Sequence, residues 1–159
     1  MAVILQVALD FVDLHRAVKV AGEAIEGGAD WLEIGTPLIK SEGMNAVRHL
    51  RKLFPATTLL ADMKTMDAGR AEMEMAAKAG ANIAVVMGDA PDSTIKECIQ
   101  AGRNYGIKIC VDFINSAKVE ERVADIEKWG ADYIAVHTAI DDQMHGKHPS
   151  ALCNTFAVR

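Results

Sequence analysis

The sequence has few cysteines and no long hydrophobic run, and each shortage excludes a class of protein. Its 159 residues include only three cysteines, with no CxxC or other metal-binding spacing. This argues against a zinc module or a disulfide scaffold. The apolar stretch Met1–Leu9 is too short to cross a membrane. It also lacks the charged start and small-residue cleavage site of a signal peptide. We therefore expect reduced thiols, no signal or anchor, and a cytoplasmic location.

Basic runs are also missing. The formal net charge is −5, and charges of both signs are interspersed along the chain. This distribution argues against non-specific binding to nucleic acid or to anionic membranes. Hydrophobic residues make up 50% of the chain and charged residues 25%, as in ordinary globular domains. A chain of this length can bury a sizeable core in one domain.

What the sequence does contain is a repeat of short apolar runs. They begin roughly every 25 residues, the length of one strand, one helix and two short loops. The runs are Val3–Leu9, Trp31–Ile34, Thr58–Ala61, Ile83–Met87, Ile107–Val111 and Tyr133–Val136. They are nearly continuous rather than alternating, which is typical of parallel strands covered on both faces.

Amphipathic segments between these runs predict helices. The first has apolar residues at helical spacing from Leu14 to Ile25 and ends at Gly27 and Gly28. A later helix has an apolar stripe, in which we interpret the methionine as core. The stripe is Ala68, Ala71, Met75, Ala76 and Ala79. A Gly-Ala-Asp/Asn tripeptide precedes three strands, at 28–30, 80–82 and 130–132. It predicts one recurring turn, with a left-handed Gly and a capping Asp or Asn.

Strict alternation of strands and helices leaves two architectures, an open doubly wound sheet or a (β/α)₈ barrel. The first strand is followed by residues Leu9–Asp13, which contain no GxGxxG loop. The lack of this Gly-rich phosphate loop argues against dinucleotide binding. Acidic, basic or histidine residues follow almost every strand, as in barrels that gather one site from many strand ends. We therefore favour a barrel.

Ionisable side chains stand at the tips of most predicted strands. They are Asp10, Glu33, Asp62 with Lys64, Asp112 and His137. In a barrel these tips converge on one mouth. Asp62 and Lys64 are two apart on a strand, so both point to the same side. Glu33 lies in a buried strand, where its carboxylate needs a cation or metal partner. A helix N-cap stays an equal alternative for Asp10 and Asp112, and a satisfied core histidine stays open for His137.

The segment Asp62–Asp67 reads Asp-x-Lys-x-x-Asp. It resembles the signature that the orotidine 5′-monophosphate decarboxylase superfamily carries after its third strand. Within that superfamily the chain is most similar to the 3-hexulose-6-phosphate synthases. The supporting segments are 6–10, 33–44, 64–69 and 136–138, with Asp141 and Gln143. The resemblance predicts a partial (β/α) barrel catalytic domain over residues 1–149 and an atypical tail over 150–159.

The resemblance implies a carbon–carbon lyase of the ribulose monophosphate pathway. Such an aldolase joins formaldehyde to D-ribulose 5-phosphate and gives 3-hexulose 6-phosphate. It also implies Mg²⁺ as a Lewis acid on the enediolate oxygens. By this likeness Glu33 and Asp62 would be the metal ligands, and two carboxylates suit a hard cation.

The same resemblance implies roles for the remaining tip residues. His137 would remove the C1 proton, because imidazole titrates near neutral pH, and Lys64 would stabilise the enediolate charge. Asp10 would orient substrate hydroxyls. Asp67 would reach across a two-fold homodimer into the partner's site. The implied catalytic set is Lys64, His137, Asp67 and Asp62, and the implied substrate-binding set is Asp10, Glu33 and Asp67.

The chain departs from the family in its length. Six βα units can be counted, whereas a closed barrel has eight. In the family, strands seven and eight carry the Gly-rich loops that bind the substrate phosphate, and no residue of this sequence is assigned that role. We therefore expect an incomplete barrel that binds ribulose 5-phosphate weakly.

Three other functions are alternatives for this sequence. The 3-keto-L-gulonate-6-phosphate decarboxylases share the fold, the metal and most site residues. They commonly have an Arg three residues after the strand-six His, where Ile140 stands here. Orotidine monophosphate decarboxylase uses a metal-free charged tetrad and has no need of Glu33. A non-catalytic truncated remnant would explain the missing units, but the intact set of strand-end residues argues against it.

Overall fold

The computed structural model describes residues 3–114, 116 and 119–147. Over these residues, six strands alternate with seven helices. The strands are β1 (Gln6–Leu9), β2 (Trp31–Ile34), β3 (Thr58–Thr65), β4 (Ile83–Met87), β5 (Lys108–Asp112) and β6 (Tyr133–Ala135). The helices are α1 (Leu14–Glu26), α2 (Thr36–Glu42), α3 (Met44–Leu53), α4 (Gly69–Ala79), α5 (Asp92–Tyr105), α6 (Val119–Trp129) and α7 (Ile140–Met144). The predicted tail over 150–159 and Cys153 lie outside the described residues.

Each predicted apolar run overlaps a strand, which confirms the repeat. The first run is shortened, because β1 begins at Gln6 and residues 3–5 are exposed. The third is lengthened, because β3 continues through Asp62 and Lys64 to Thr65. The ionisable pair therefore belongs to the strand itself.

The strands are all parallel and follow chain order from β1 to β6. A doubly wound sheet would reverse its order at a switch point. The sheet also curls. The rings of Trp31 in β2 and Tyr133 in β6 meet edge to face, with centroids 5.5 Å apart. In a flat sheet these strands would be about 19 Å apart. The fold is therefore an incomplete (β/α) barrel, as predicted.

Both faces of the central strands β3, β4 and β5 are covered, which explains why their sequences are nearly continuously apolar. The outer face packs on the helices through a large buried cluster that includes Leu32, Ala61 and Val111. The inner face is a smaller cluster that fills the curl. It comprises Leu60, Ile83, Val85 and Cys110, with Trp31, Tyr133 and Ala135 against it. Cys98 and Cys110 are both buried thiols, as expected from the sequence.

The recurring tripeptide forms the predicted turn. Gly28, Gly80 and Gly130 have φ values of 95°, 100° and 95°. These are conformations that favour glycine.

The Asp or Asn of each tripeptide does more than cap this turn. Its side chain accepts a hydrogen bond from a main-chain N–H near the start of the preceding strand, at 2.8 to 2.9 Å. Its own N–H donates to the carbonyl of that same residue. We call this pair of bonds the two-bond bracket. The brackets join Asp30 to Leu5, Asn82 to Leu59 and Asp132 to Ile109.

The predicted stripe on α4 is partly wrong. Ala76 and Ala79 are buried, but Ala68 and Ala71 are exposed and Met75 is 46% exposed. The buried face instead begins at Gly69 and includes Met73. A Cβ at Gly69 would lie 2.8 Å from Cys98 Sγ and from the Thr94 carbonyl oxygen in α5. The close contact between α4 and α5 is therefore at Gly69. The predicted stripe omitted this residue because it counted only residues with apolar side chains.

Among the described residues, none of the helices combines the length and the apolar character needed to cross a membrane.

Candidate active site

Lys64 lies at the centre of the strand-end cluster. Its Nζ is 3.1 Å from Asp62 Oδ2 and 2.9 Å from Asp112 Oδ2. Both carboxylates are buried, with Asp62 6% and Asp112 2% exposed. The predicted proximity of Asp62 and Lys64 is therefore confirmed, and one ammonium joins β3 to β5 across β4.

The backbone at Lys64 is unusual. Its φ is +46°, and it is the one non-glycine residue with positive φ in the described part of the chain. The register between β3 and β4 also shifts between Ala61 and Thr65. Such conformations cost energy and persist where surrounding contacts fix them. Here the two ion pairs hold the side chain, so the strand is distorted where the ammonium is placed.

The two carboxylates keep Lys64 charged. Burial alone lowers the pKa of Lys64, but its hydrogen bond to Asp112 and the charges of Asp62 and Asp112 outweigh burial and raise that pKa above its usual value. The side chain is therefore a fixed ammonium at neutral pH, suited to stabilising negative charge that develops beside it.

Asp112 also binds His137. Its Oδ1 lies 3.2 Å from His137 Nδ1 and accepts a hydrogen bond from the Ile114 N–H at 2.9 Å. Burial would raise the pKa of Asp112, but the bonds from His137 and Lys64 lower it below its usual value. The bond to Asp112 in turn raises the pKa of His137. Because Nδ1–H donates to Asp112, Nε2 is the ring nitrogen left to exchange a proton.

Glu33 and Asp10 add negative charge to the same region. Glu33 Oε2 accepts a hydrogen bond from Gln6 Nε2 at 2.5 Å. Burial, followed by the charge of Asp62, raises the pKa of Glu33 to about 7. Burial and Asp62 likewise raise the pKa of Asp10. Carboxylates from β2 and β3 and from the tip of β1 thus repel one another, and Lys64 only partly offsets that repulsion.

The repulsion among these carboxylates is relevant to the Mg²⁺ site that the resemblance implies. Among the described residues, no group of three or more Asp, Glu, His or Cys is arranged to hold an ion by itself. Mg²⁺ in enzymes is nevertheless often held by one or two carboxylates, with water and substrate oxygens completing its shell. Glu33 and Asp62 are hard oxygen donors, and a cation beside them would relieve their repulsion. The residues therefore fit a divalent cation with two protein ligands.

Asp67 lies apart from this cluster. It is exposed just before α4 and lines a shallow pocket with Arg70, Ser93, Thr94 and Glu97. No hydrogen bond or ion pair links it to the described residues of its own chain. Its predicted reach into a partner's site stays a prediction.

Three sequence alternatives are resolved by these contacts. The N-cap of α1 is Asp13, so Asp10 does not cap it. Asp112 accepts a hydrogen bond from the N–H of Ile114 and lies seven positions before the first residue of α6, so it is no N-cap either. The His137 side chain is 41% exposed, which excludes a core histidine.

The sequence assigned no specific role to two residues that hold the site. Asp112 was only one strand tip among several, yet it fixes both Lys64 and His137. Thr36 was given no role, yet its Oγ1 donates toward Asp62 Oδ2 at 2.7 Å. The one available signal for Thr36 was its place directly after Glu33-Ile-Gly in the segment that carries the resemblance.

Known proteins resemble this chain over nearly its whole length. The profile of the orotidine 5′-phosphate decarboxylase / HUMPS family matches residues 4–155. A 3-hexulose-6-phosphate synthase of Bacillus subtilis (strain 168) is 42% identical over 144 residues, which cover 91% of this chain and 68% of that protein.

Solved structures give the same result. The crystal structure of 3-hexulose-6-phosphate synthase from Salmonella typhimurium superposes with a TM-score of 0.91 at 35% identity, covering 96% of this chain and 72% of that one. A 3-keto-L-gulonate-6-phosphate decarboxylase from Vibrio cholerae gives a TM-score of 0.83 at 30% identity, covering 95% and 71%.

Proposed function

The chain belongs to the orotidine 5′-phosphate decarboxylase / HUMPS family. From that premise we propose that it catalyses the reaction of the 3-hexulose-6-phosphate synthases, the aldol condensation of formaldehyde with D-ribulose 5-phosphate. The observation that carries the proposal is the placement of one fixed ammonium and one imidazole on the same buried carboxylate, Asp112.

The reaction needs a base beside an anion-stabilising group. His137 Nε2 takes a proton from C1 of ribulose 5-phosphate, next to the C2 carbonyl. The electron pair moves into an enediolate, and Lys64 stabilises its negative charge. C1 then forms a bond to the formaldehyde carbon and the C2 carbonyl re-forms. The former formaldehyde oxygen takes up one proton, which balances the proton removed from C1. Asp10 orients the substrate hydroxyls.

Glu33 and Asp62 would hold Mg²⁺ in this proposal. The ion would supply Lewis-acid stabilisation of the enediolate oxygens. The chain contributes the two carboxylates and the hydrogen bonds that orient them, from Gln6 to Glu33 and from Thr36 to Asp62.

The decarboxylase alternative is less well supported. The position three residues after His137 is Ile140, an exposed apolar residue at the start of α7. It cannot supply the positive charge that those decarboxylases commonly place there. The synthase structure is also more similar to this chain, in both TM-score and identity, than the decarboxylase structure.

The test is formaldehyde-dependent consumption of ribulose 5-phosphate, measured with Mg²⁺ and after chelation. We expect turnover with Mg²⁺ and its loss on chelation. Carbon dioxide release from 3-keto-L-gulonate 6-phosphate, without aldol activity, would instead support the decarboxylase. No turnover of either substrate would overturn both enzymatic proposals.

The shared homodimer site can be tested by mixing variants. Lys64→Ala and Asp67→Ala chains are each expected to be inactive as homodimers. In a mixed dimer one site would keep both residues, so random pairing would restore about a quarter of wild-type turnover. If Asp67 served its own chain's site, mixing would restore none.

A further inference from the structure

The junction between β2 and α2 contacts two of the carboxylates in the cluster. Gly35 is the N-cap of α2 and makes no side-chain cap. Thr36, the first residue of the helix, directs its hydroxyl across to β3. From these contacts, and resting on the proposed metal site, we propose that Thr36 is a positioning residue that holds the Asp62 carboxylate in the orientation needed to bind a divalent cation.

The hydroxyl contacts two oxygens of one residue. Thr36 Oγ1 is 2.7 Å from Asp62 Oδ2 and 2.8 Å from the Asp62 carbonyl oxygen. A hydroxyl has a single hydrogen, which the two acceptors share. Both contacts together tie the carboxylate to the main chain of β3. The Asp62 side chain is therefore held by both Thr36 and Lys64.

Lys64 contacts both oxygens of the same carboxylate. Its Nζ lies 3.2 Å from Asp62 Oδ1 and 3.1 Å from Oδ2, so a bound cation shares these oxygens with the ion pair. Without the hydroxyl, the ammonium would be the only described side chain that fixes the orientation of the carboxylate. Thr36 thus acts through Asp62 and does not itself need to contact the ion.

The preceding residue has a related effect on Asp10. A Cβ at Gly35 would lie 2.1 Å from Asp10 Oδ1 and 2.9 Å from the Leu9 carbonyl oxygen. The absence of a side chain at Gly35 therefore leaves the space that Asp10 occupies. One short turn sets the positions of carboxylates from β3 and from the tip of β1, while β2 itself carries Glu33.

The same helix offers a matched control. Ser41 Oγ donates to the Val12 carbonyl oxygen at 2.7 Å. This bond ties α2 to the loop before α1 and involves no carboxylate. Removing the hydroxyl of Ser41 or of Thr36 deletes one side-chain hydrogen-bonding group from α2, but only the Thr36 change affects Asp62.

The experiment titrates the purified chain with Mn²⁺ alone and follows free Mn²⁺ by electron paramagnetic resonance. Thr36→Val keeps the side-chain shape and removes the hydroxyl. We expect it to weaken Mn²⁺ binding about 10- to 100-fold, as loss of an outer-shell partner does at other metal sites. Thr36→Ser should bind Mn²⁺ within a few-fold of wild type, and Ser41→Ala should bind it unchanged.

Wild-type affinity in Thr36→Val, or failure of Thr36→Ser to restore binding, would overturn the positioning role. Thr36→Ala provides a second hydroxyl-free variant if the valine variant does not fold, and the same outcomes apply to it. If wild type itself fails to bind Mn²⁺, the proposed metal site falls, and the inference falls with it. If wild type binds and Thr36→Val binds equally, only the inference falls.

Discussion

The two ends of the curled sheet use polar side chains in opposite ways. At the amino end, Asp30, Asn82 and Asp132 bond to main-chain groups through the two-bond brackets. Arg51 does the same, donating to the carbonyls of residues 54, 55, 57 and 80 and to the Asn82 side chain.

At the carboxyl end, charged side chains bond mainly to each other. Lys64 pairs with Asp62 and Asp112, and Asp112 pairs with His137. Buried ion pairs are a poor way to stabilise a fold, because desolvation cancels much of their attraction. The difference shows a division of labour: polar groups at the amino end fix the barrel, and those at the carboxyl end are kept for chemistry.

The largest effect that would sharpen this comparison is on turnover. Lys64→Ala removes the only cation that contacts both buried carboxylates in the described site. We expect aldol turnover to fall by about a thousandfold or more. The measurement is formaldehyde-dependent consumption of ribulose 5-phosphate. Lys78→Ala is the control, because Lys78 is exposed and its ion pair among the described residues is with Glu74 on the same helix. Unchanged turnover in Lys64→Ala would mean that the site is assigned wrongly.

At the amino end the expected effect is on stability instead. Arg51→Met removes all the hydrogen bonds that Arg51 donates to main-chain carbonyls. We expect the free energy of unfolding in urea to fall by about 2–4 kcal/mol. Turnover of the molecules that remain folded should be unchanged. Arg48→Met is the control, since Arg48 is exposed and its side-chain hydrogen bond within the described part of the chain is to Asn45. A stable but inactive Arg51→Met chain would contradict the assignment of the amino end to stability and the carboxyl end to catalysis.

Titration of His137 should change turnover and folding stability in opposite directions as the pH rises. Its pKa is raised above the ordinary value of 6.5, first by the hydrogen bond to Asp112 and then by that residue's charge. The neutral base is lost as pH falls through this raised pKa. On this acid limb of the pH–rate profile, turnover should drop tenfold per pH unit.

The stabilisation from the His137–Asp112 bond runs the other way. It is fully present below the unfolded histidine value of 6.5 and is lost as pH rises through the folded pKa. The lowered pKa of Asp112 contributes stability above 3.8 that is lost only as pH falls through its folded value. Asp62, Lys64 and Asp10 also face this pair.

Asp112→Asn should move the acid limb of turnover to lower pH, because the largest cause of the raised His137 pKa is removed. The measurement is turnover against pH for both chains, with substrate in excess. His49→Gln, an exposed change on α3, should leave the limb in place. A limb that stays fixed in Asp112→Asn would show that another group titrates.

The smallest effect concerns the aromatic contact inside the curl. Tyr133→Leu removes the edge-to-face pair with Trp31. We expect a loss of about 0.5–1.5 kcal/mol beyond the change in buried area, measured by urea unfolding. Tyr105→Leu, at an exposed position of α5 where the hydroxyl bonds to Glu74, is the control for loss of a tyrosine outside the curl. Equal losses in the two variants would mean that the contact across the curl adds nothing.

Much of this architecture was predictable because it repeats. Apolar runs at constant intervals located every strand, and three copies of one tripeptide located three turns. The convergence of ionisable residues followed from parallel strands, whose carboxyl ends share one edge of a sheet.

Other features could not be read from local sequence. The positive φ of Lys64 depends on two ion pairs, one of them to a residue 48 positions away. The bonds that join Asp30, Asn82 and Asp132 to neighbouring strands span 23 to 25 positions. The buried face of α4 depends on which helix packs against Gly69. Each is set by a contact that exists only after the units assemble.

The brackets have a consequence for how the chain can be rearranged. They join β1 to β2, β3 to β4 and β5 to β6, so the bracketed unit is a pair of βα repeats. A backbone break between residues 43 and 57 or between 88 and 107 leaves the two residues of every bracket in the same segment. A break between 10 and 29 places Leu5 and Asp30 in different segments. Circular permutants of this scaffold should therefore tolerate new termini between β2 and β3 or between β4 and β5 better than between β1 and β2.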